Sequence, residues 1–538
     1  MLIAEGGGVL PSPIVSPRVA CFTPLSPVAS GISYYSEELL PVLARALDLD
    51  VFVDGYAPTE AVALHDAGVG LHQGRAFERL QRAHPYDAII YQLGNSPAHA
   101  YMYDLALREP GIVVLHDVVL HHLRLWMAVN RGRAQQRAYA ADLARLYGAA
   151  GAELARAVLR GQTPPTLFDY TLVEPILDAA QAVIVHSATS AERVQALRPS
   201  ARVRVVPMGV PLPVLPRRAE ARARLGVADD AFLVVSHGHV NPYKRLDVAL
   251  RAFRRLLDTR PDAQFLIAGT VPPQLAQTLD RQVRYLGLGG RVRRLGFIAP
   301  DTVADLLAAA DCCVNLRYPS AGETSASLLR IMGAGLPVLV SDAGSFRELP
   351  EGCCLKIPVG PVEEALLAEY LRALAHDDTL RASIGAAARE FVAEAHSLER
   401  SALGYLDTRG EVLGQPLTLP TERPVSRNTP VATLKPPPQA SIGRGLRQLA
   451  RTLPAIIRSS RNPAAPSDVP PPAEQGTSAT IDAAATALAE LRLTGHTTLE
   501  RSVARDLVAL GLGAGSGQRR RGGEARDERE TDSSLRSE

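Results

Sequence analysis

No stretch of the 538 residues approaches the roughly eighteen uninterrupted apolar positions that a helix needs to cross a bilayer, so nothing in the chain reads as membrane-spanning. The opening residues, MLIAEGGGVLPSPIVSP, lack a basic stretch ahead of a short apolar run and are not expected to act as a secretory leader. Net charge is equally scant. At +2 the chain is no polycation, and no global electrostatic argument draws it to nucleic acid. Cysteine is sparse: of the five, Cys21 stands alone, while Cys312-Cys313 and Cys353-Cys354 are adjacent pairs in apolar, strand-like runs. Neither pair has zinc-finger spacing, and buried, reduced thiols in a cytoplasmic protein are the expectation. Apolar residues, at 46%, are plentiful enough to exclude a wholly disordered chain, and the length allows two globular domains and more.

Short apolar runs recur in two groups. The first holds RVACF, DVFV, DAIIY, GIVVLH, AVIVHS and VRVVP; the second holds FLVVSHG, QFLIAG, VRRLGF, CCVNL, LPVLVS and CCLKIP. Helical patterns alternate with them. In RLDVALRAFRRLLD, residues 245–258, Leu246, Ala249, Leu250 and Phe253 make one apolar stripe. Strand and helix alternating through both groups predict an α/β protein of two doubly wound parallel sheets. Pro207, Pro211, Pro213 and Pro216 mark the hinge, and a long helical insertion, including AQQRAYAADLARLYGAAGAELARAVLRG, separates His116 from His186. The expected divisions are a flexible N-terminus 1–17, a first domain 18–210, a second domain 211–410 ending in a returning helix, and a Pro-rich, largely disordered tail 411–538. Two helical islands interrupt that tail, IGRGLRQLARTLPAIIRS and IDAAATALAELRL.

The most informative segment runs from Val314 to Pro350. An apolar strand, CCVNL, leads into a polar loop, YPSAGET, and then a short helix, SASLLRIM, which Gly333 and Gly335 stop before the buried strand PVLV. A loop of small residues opening a helix beside a parallel sheet presents free backbone N–H groups and the positive end of the helix, which suits a phosphate-bearing ligand. Plain strand-to-helix turn chemistry would leave the same pattern.

GETSASLLRIMGAGLPVLVSD resembles the donor-sugar loop of the retaining nucleotide-sugar glycosyltransferases of family four, which have the GT-B fold: two Rossmann-like domains facing a cleft. GETSAS is similar to a mannosyltransferase- and rhamnosyltransferase-like branch of that family. Members usually carry two glutamates separated by seven residues, the second before an Ala-Met-like pair. Here Arg330 precedes Ile331-Met332, Gly322 stands eight residues earlier, and Glu323 follows one place on.

The resemblance singles out further residues. Gly31, in TPLSPVASGIS, matches a glycine near donor phosphate and acceptor, and as a bare glycine before a helix it lets backbone approach a ligand. His116, at the carboxyl end of GIVVLHD, matches a position facing the donor sugar, where parallel sheets place their sites. A metal cluster of His116, Asp117, His121 and His122 is the alternative, although nothing completes it; His121 and His122 also suit packing or capping of the next helix. VVSHGHVNPYKRLDVAL resembles the family's Gly-Arg-Leu…Lys-Gly motif, with Gly238 kept, Lys244 on the lysine and His239 in the arginine's place. A lysine there meets the charge that grows on a departing phosphate; an exposed lysine at a helix start is the plain alternative. Glu323 is expected to bind sugar hydroxyls, and Thr324, Ser325, Ala326 and Ser327 to offer N–H groups to phosphates. Arg330 either donates to the donor or pairs with Glu323 or Asp342.

The resulting expectation is a metal-independent, retaining hexosyltransferase in which His116, Lys244 and Glu323 do the catalytic work. It needs no cofactor beyond its co-substrate, a nucleotide diphosphate sugar. Its acceptor is a glycan or lipid-linked molecule, and nucleic acid is not a partner. With no Asp/Glu pair seen to flank the site, front-face attack is favoured, the leaving phosphate helping to accept the acceptor's proton. A catalytically silent sugar- or partner-binding module and a nucleotide-sugar epimerase are the rivals. In the tail, Leu446, Leu449, Leu453 and Ile456 among Arg444, Arg447, Arg451 and Arg458 suggest a basic amphipathic helix against the inner face of the membrane, despite Pro454. A partner-binding or solvated helix fits equally.

Overall fold

A computed structural model describes residues 16–421 apart from 29, 60, 163 and 164. The first sheet comprises β1 (Arg18–Phe22), β2 (Asp48–Val53), β3 (Gly70–Gln73), β4 (Ala88–Leu93), β5 (Ile112–Leu115), β6 (Ala182–Val185) and β7 (Val203–Val205). The second comprises β8 (Leu233–His237), β9 (Gln264–Ala268), β10 (Val292–Gly296), β11 (Cys312–Asn315), β12 (Val338–Ser341) and β13 (Leu355–Ile357). Every pairing is parallel, in the orders β3-β2-β1-β4-β5-β6-β7 and β10-β9-β8-β11-β12-β13. The strand order reverses between β1 and β4 in one sheet and between β8 and β11 in the other, so the loops leaving these four strands line the crevices where such sheets bind ligands. This is the GT-B architecture expected from the sequence.

Strands covered on both faces read as continuous apolar runs: AIIYQL in β4 and IVVL in β5 are buried throughout. The one strand that pattern misses is β3, whose sequence GLHQ is short and polar. It is held at the sheet edge by His72 Nε2, 2.8 Å from Asp50 Oδ1. The stripe Leu246, Ala249, Leu250 and Phe253 is buried in the helix Leu246–Leu256. The insertion forms the helical stretch Arg133–Leu159, which folds back at Gly148 (φ 63°), so that Tyr139 and Leu143 pack with Leu154, Ala155 and Val158. All five cysteines are buried free thiols, and burial pushes Cys21, Cys313 and Cys354 up to about 12.

The chain crosses between domains twice, and the crossings lie side by side. Val210 N–H donates to His396 O at 2.9 Å, and His396 Nδ1 lies 2.8 Å from Met208 O. A Cβ at Gly209 would stand 2.7 Å from Ser397 O, so only glycine fits this close approach. The helix Leu398–Leu413 then returns to the first domain, where Tyr35 Oη donates to Tyr405 Oη at 3.2 Å. It passes the expected tail boundary at 411, and Leu417 and Leu419 still pack on the core. Both helical islands of the tail lie outside the described residues. Among those described, no helix is long and apolar enough to cross a membrane.

Candidate active site

The loop after β8 brings Lys244 back beneath its own strand. A short turn, Pro242–Lys244, leaves the side chain buried, its ammonium donating one hydrogen bond, 2.6 Å to His237 O. Burial, then the nearby Arg317, pull this lysine down to about 7. Gly238 has φ 108°, and a Cβ there would stand 3.0 Å from Lys244 Nζ and 3.4 Å from Ser327 Oγ, which brings both second-domain loops to one place. His239 is exposed on the same loop. Around this point several buried polar atoms have no hydrogen-bond partner: His237 Nδ1, Asn241 Oδ1, both amide atoms of Asn315, and Thr324 Oγ1. Such atoms are costly unless something satisfies them.

The loop after β11 starts the helix Ala326–Gly333, which Ser325 caps by accepting from Leu328 N–H at 3.3 Å. Ser327 Oγ lies 3.1 Å from Ser325 Oγ. Glu323 is turned into its own loop. It accepts from Arg317 Nη1 at 2.5 Å, Ser320 Oγ at 2.9 Å and Ala321 N–H at 2.7 Å. Burial works to raise its pKa, but Arg317 and these donors outweigh it and hold the group ionised. Arg330 pairs with neither Glu323 nor Asp342, the partners that one of its two sequence readings offered. Its guanidinium instead spans the cleft to Glu38, on the helix Gly31–Leu43, at 3.0 and 2.8 Å.

In the first domain, Gly31 is the first residue of that helix, behind the N-cap Ser30, and a side chain there would meet no protein atom within 4 Å. His116 is only 4% exposed. Its Nε2 lies 2.7 Å from Gln92 Oε1, its Nδ1 has no partner, and its ring faces His186 with centroids 4.9 Å apart. Burial, reinforced by His186 and His99, keeps it neutral. His121 is held between Tyr170 O and Tyr139 Oη, each at 2.8 Å, and His122 Nδ1 lies 3.0 Å from Asn95 Nδ2. With His116, His121 and His122 each bound to a different partner, the four candidate metal ligands do not converge. No group of three or more such side chains among the described residues is arranged to hold a metal ion.

Asp117, which the sequence offers only as a metal ligand, has a different setting here. Its Oδ2 accepts from Asn95 N–H at 2.7 Å. Val118 and Val119 N–H groups donate across the cleft to Ala321 O at 2.8 and 3.1 Å, so Asp117 stands against the loop that carries Glu323. Burial and the Glu323 charge raise it to about 7, opposed by Asn95 N–H and Arg317. A carboxylate pair thus exists here, contrary to the sequence expectation; it was hidden because its members lie in different domains. Tyr243 joins them, its Oη 3.5 Å from His122 Nε2. The domains also meet where Ser190 Oγ donates to Gly322 O at 2.6 Å. Close by, Glu348 accepts from Ala188 and Thr189 N–H at 2.8 and 2.6 Å, at the start of the helix Ala188–Leu197.

A separate concavity of about 510 Å³ lies away from these groups, lined by Asp178, Arg198, Arg202, Val412 and Leu413. Its Asp178 and Arg198 already bond each other, at 2.5 and 3.0 Å, so it is not taken as the site.

Residues 217–391 match the profile of the family "Glycosyl transferases group 1". Over 379 residues the chain is 27% identical to the D-inositol 3-phosphate glycosyltransferase of Streptomyces avermitilis, covering 67% of this chain and 78% of that one. Against the protein of the same name from Streptomyces coelicolor the identity is 28%, over 59% and 73%. Among solved structures, Anabaena HepE in complex with UDP and glucose superposes with a TM-score of 0.52 at 18% identity, over 73% of this chain and 99% of that one. Sucrose-phosphate synthase from Thermosynechococcus elongatus gives 0.54 at 19%, over 74% and 99%. The chain therefore has the GT-B fold, and its second domain carries the signature of the group 1 glycosyltransferases.

Proposed function

We propose that this protein transfers a hexose from a nucleotide diphosphate sugar to a hydroxyl-bearing acceptor. The observation that carries the reading is Lys244: a buried ammonium with one hydrogen bond, beside the unpartnered atoms of His237, Asn315 and Thr324 and the capped start of the Ala326–Gly333 helix. A diphosphate would satisfy the ammonium and the helix-start N–H groups of Ser325, Ala326 and Ser327 together. Gly31 and Gly238 then leave room for it on the two sides, and His239 stands at its edge. The two Streptomyces relatives bear the name glycosyltransferase, which supports a transferase over the silent module or the epimerase.

Within this reading the transfer retains configuration and needs no metal, and the sugar is mannose- or rhamnose-like. Those finer points rest on the resemblance of GETSAS. The acceptor is a glycan or a lipid-linked molecule; the names of the relatives add a phosphorylated polyol as a third class. Peripheral membrane contact through residues 442–459, outside the described segment, belongs to the lipid-linked version.

Incubation of the purified protein with UDP-, GDP- and dTDP-sugars tests the proposal. Release of nucleoside diphosphate, accelerated by an acceptor, supports it. An altered sugar on an intact nucleotide would establish the epimerase, and binding without turnover the silent module.

A further inference from the structure

We propose that Asp117 is the acid–base residue of the transfer, its free carboxylate oxygen holding the acceptor's hydroxyl and taking its proton. The inference rests on the transferase reading above and deepens it. Asp117 comes from the first domain, at the carboxyl end of β5, and faces the loop that supplies Lys244's neighbours. One oxygen, Oδ2, is fixed by Asn95 N–H, whereas Oδ1 has no hydrogen bond among the described residues. The position is rigid. Val118 and Val119 are pinned to Ala321 O, and Gly94 leaves no space beneath, since a Cβ there would lie 3.3 Å from Asp117 Oδ2 and 3.0 Å from His99 Nε2.

The other titratable groups facing this point are committed elsewhere. Glu323 is bound to Arg317, Ser320 and Ala321 N–H, and His99 Nδ1 lies 2.9 Å from Gln92 O. His116 is turned to Gln92, and His122 sits between Asn95 and Tyr243. Burial pushes Tyr243 up to about 12, too high to take a proton near neutrality. Two carboxylates in one cleft, one held charged and the other raised to about 7, divide naturally into a fixed anion and a proton acceptor.

The step balances without a further reagent. The acceptor O–H bond breaks, its proton passing to Asp117 and its electron pair forming the bond to the anomeric carbon. The bond from that carbon to the phosphate oxygen breaks, its pair leaving with the nucleoside diphosphate, whose charge Lys244 meets. A side chain thus replaces the diphosphate as first proton acceptor, whatever the stereochemical course.

The test uses the full-length protein and whichever nucleotide sugar the panel shows to be consumed. Asp117→Asn, which keeps the Asn95 contact, should lower kcat by roughly a hundredfold or more with nucleotide affinity unchanged, and should abolish the acidic limb of the kcat–pH profile. Asp117→Ala should regain part of its rate with added formate. Should either variant fail to fold, Asp117→Glu should keep an acidic limb at a shifted midpoint. Full rate with an unaltered profile in Asp117→Asn overturns the assignment while leaving the transferase standing, as does a parallel loss of nucleotide affinity. A wild-type protein that consumes no donor overturns the transferase reading and this assignment with it.

Discussion

Arg330 and Glu38, 292 residues apart in the chain, meet face to face across the cleft through two parallel N–H···O bonds of 3.0 and 2.8 Å. The pair ties the helix Gly31–Leu43 of the first domain to the helix Ala326–Gly333 of the second. Their side chains are 20% and 26% exposed, so solvent screens the attraction only in part.

A coupling on the order of 1 kcal/mol is expected for such a pair. It should be read from nucleotide affinity in a double-mutant cycle of Arg330→Ala and Glu38→Ala. The exchanged double variant, Arg330→Glu with Glu38→Arg, should recover most of what either reversal loses. A cycle that closes to zero would mean that the pair does nothing for the closed arrangement.

Lys244→Ala should reduce turnover by roughly two to three powers of ten, the usual effect of removing one charge-stabilising donor. The lysine also sets a pH dependence. Its free pKa is about 7, and an anion bound beside it raises that value, so binding takes up a proton. Affinity for the nucleoside diphosphate of whichever donor the panel shows to be consumed should therefore be highest below pH 7 and fall, by up to about tenfold per unit, between pH 7 and 9. Calorimetry in two buffers of different ionisation enthalpy measures the uptake directly; none at pH 8 would contradict it.

Gly238→Ala should damage the site without unfolding the domain. At φ 108° an alanine is strained, and its Cβ would stand 3.0 Å from Lys244 Nζ. The expected outcome is a loss of nucleotide affinity of at least tenfold with only a small fall in Tm. Wild-type affinity would show that the ammonium can shift freely.

Much of this architecture was legible because it is local. Runs such as DAIIY and GIVVLH announce buried parallel strands. Lys244 was found through its neighbours in SHGHVNPYKR, although its burial was not visible there. What stayed hidden depends on contacts between distant residues. Nothing near Arg330 points to Glu38, and nothing near Asp117 points to Glu323. His116 drew attention because it matches a position facing the donor sugar at the end of a parallel strand, yet in HD at a strand end the alternation of side chains turns one residue inward and its neighbour outward. The structure turns the histidine in toward Gln92 and leaves the aspartate at the cleft.

The buried imidazoles predict acid sensitivity. His99 and His186 are held at about 4 and His116 well below its ordinary value, all chiefly by burial, against about 6.5 in an unfolded chain. The unfolded state therefore binds more protons. The stability that the neutral rings contribute is complete above about pH 6.5 and is lost as pH falls toward 4, on the order of 3 kcal/mol for each of His99 and His186. Urea midpoints at pH 7, 5.5 and 4.5 should fall steeply, and less so in His186→Gln. A flat profile would mean that the rings titrate normally.

The hydrogen bonds that join Val118 and Val119 to Ala321 O, Ser190 to Gly322 O, and Ala188 and Thr189 to Glu348 give the molecule something like a clutch. Any cycle that parts the domains to admit or release nucleotide must wet four backbone N–H groups and dry them again. That cost is the same for every acceptor, because none of the four lies on the bond being made. Friction with the solvent then enters the rate: thickening the medium with glycerol should slow good acceptors down to the pace of mediocre ones.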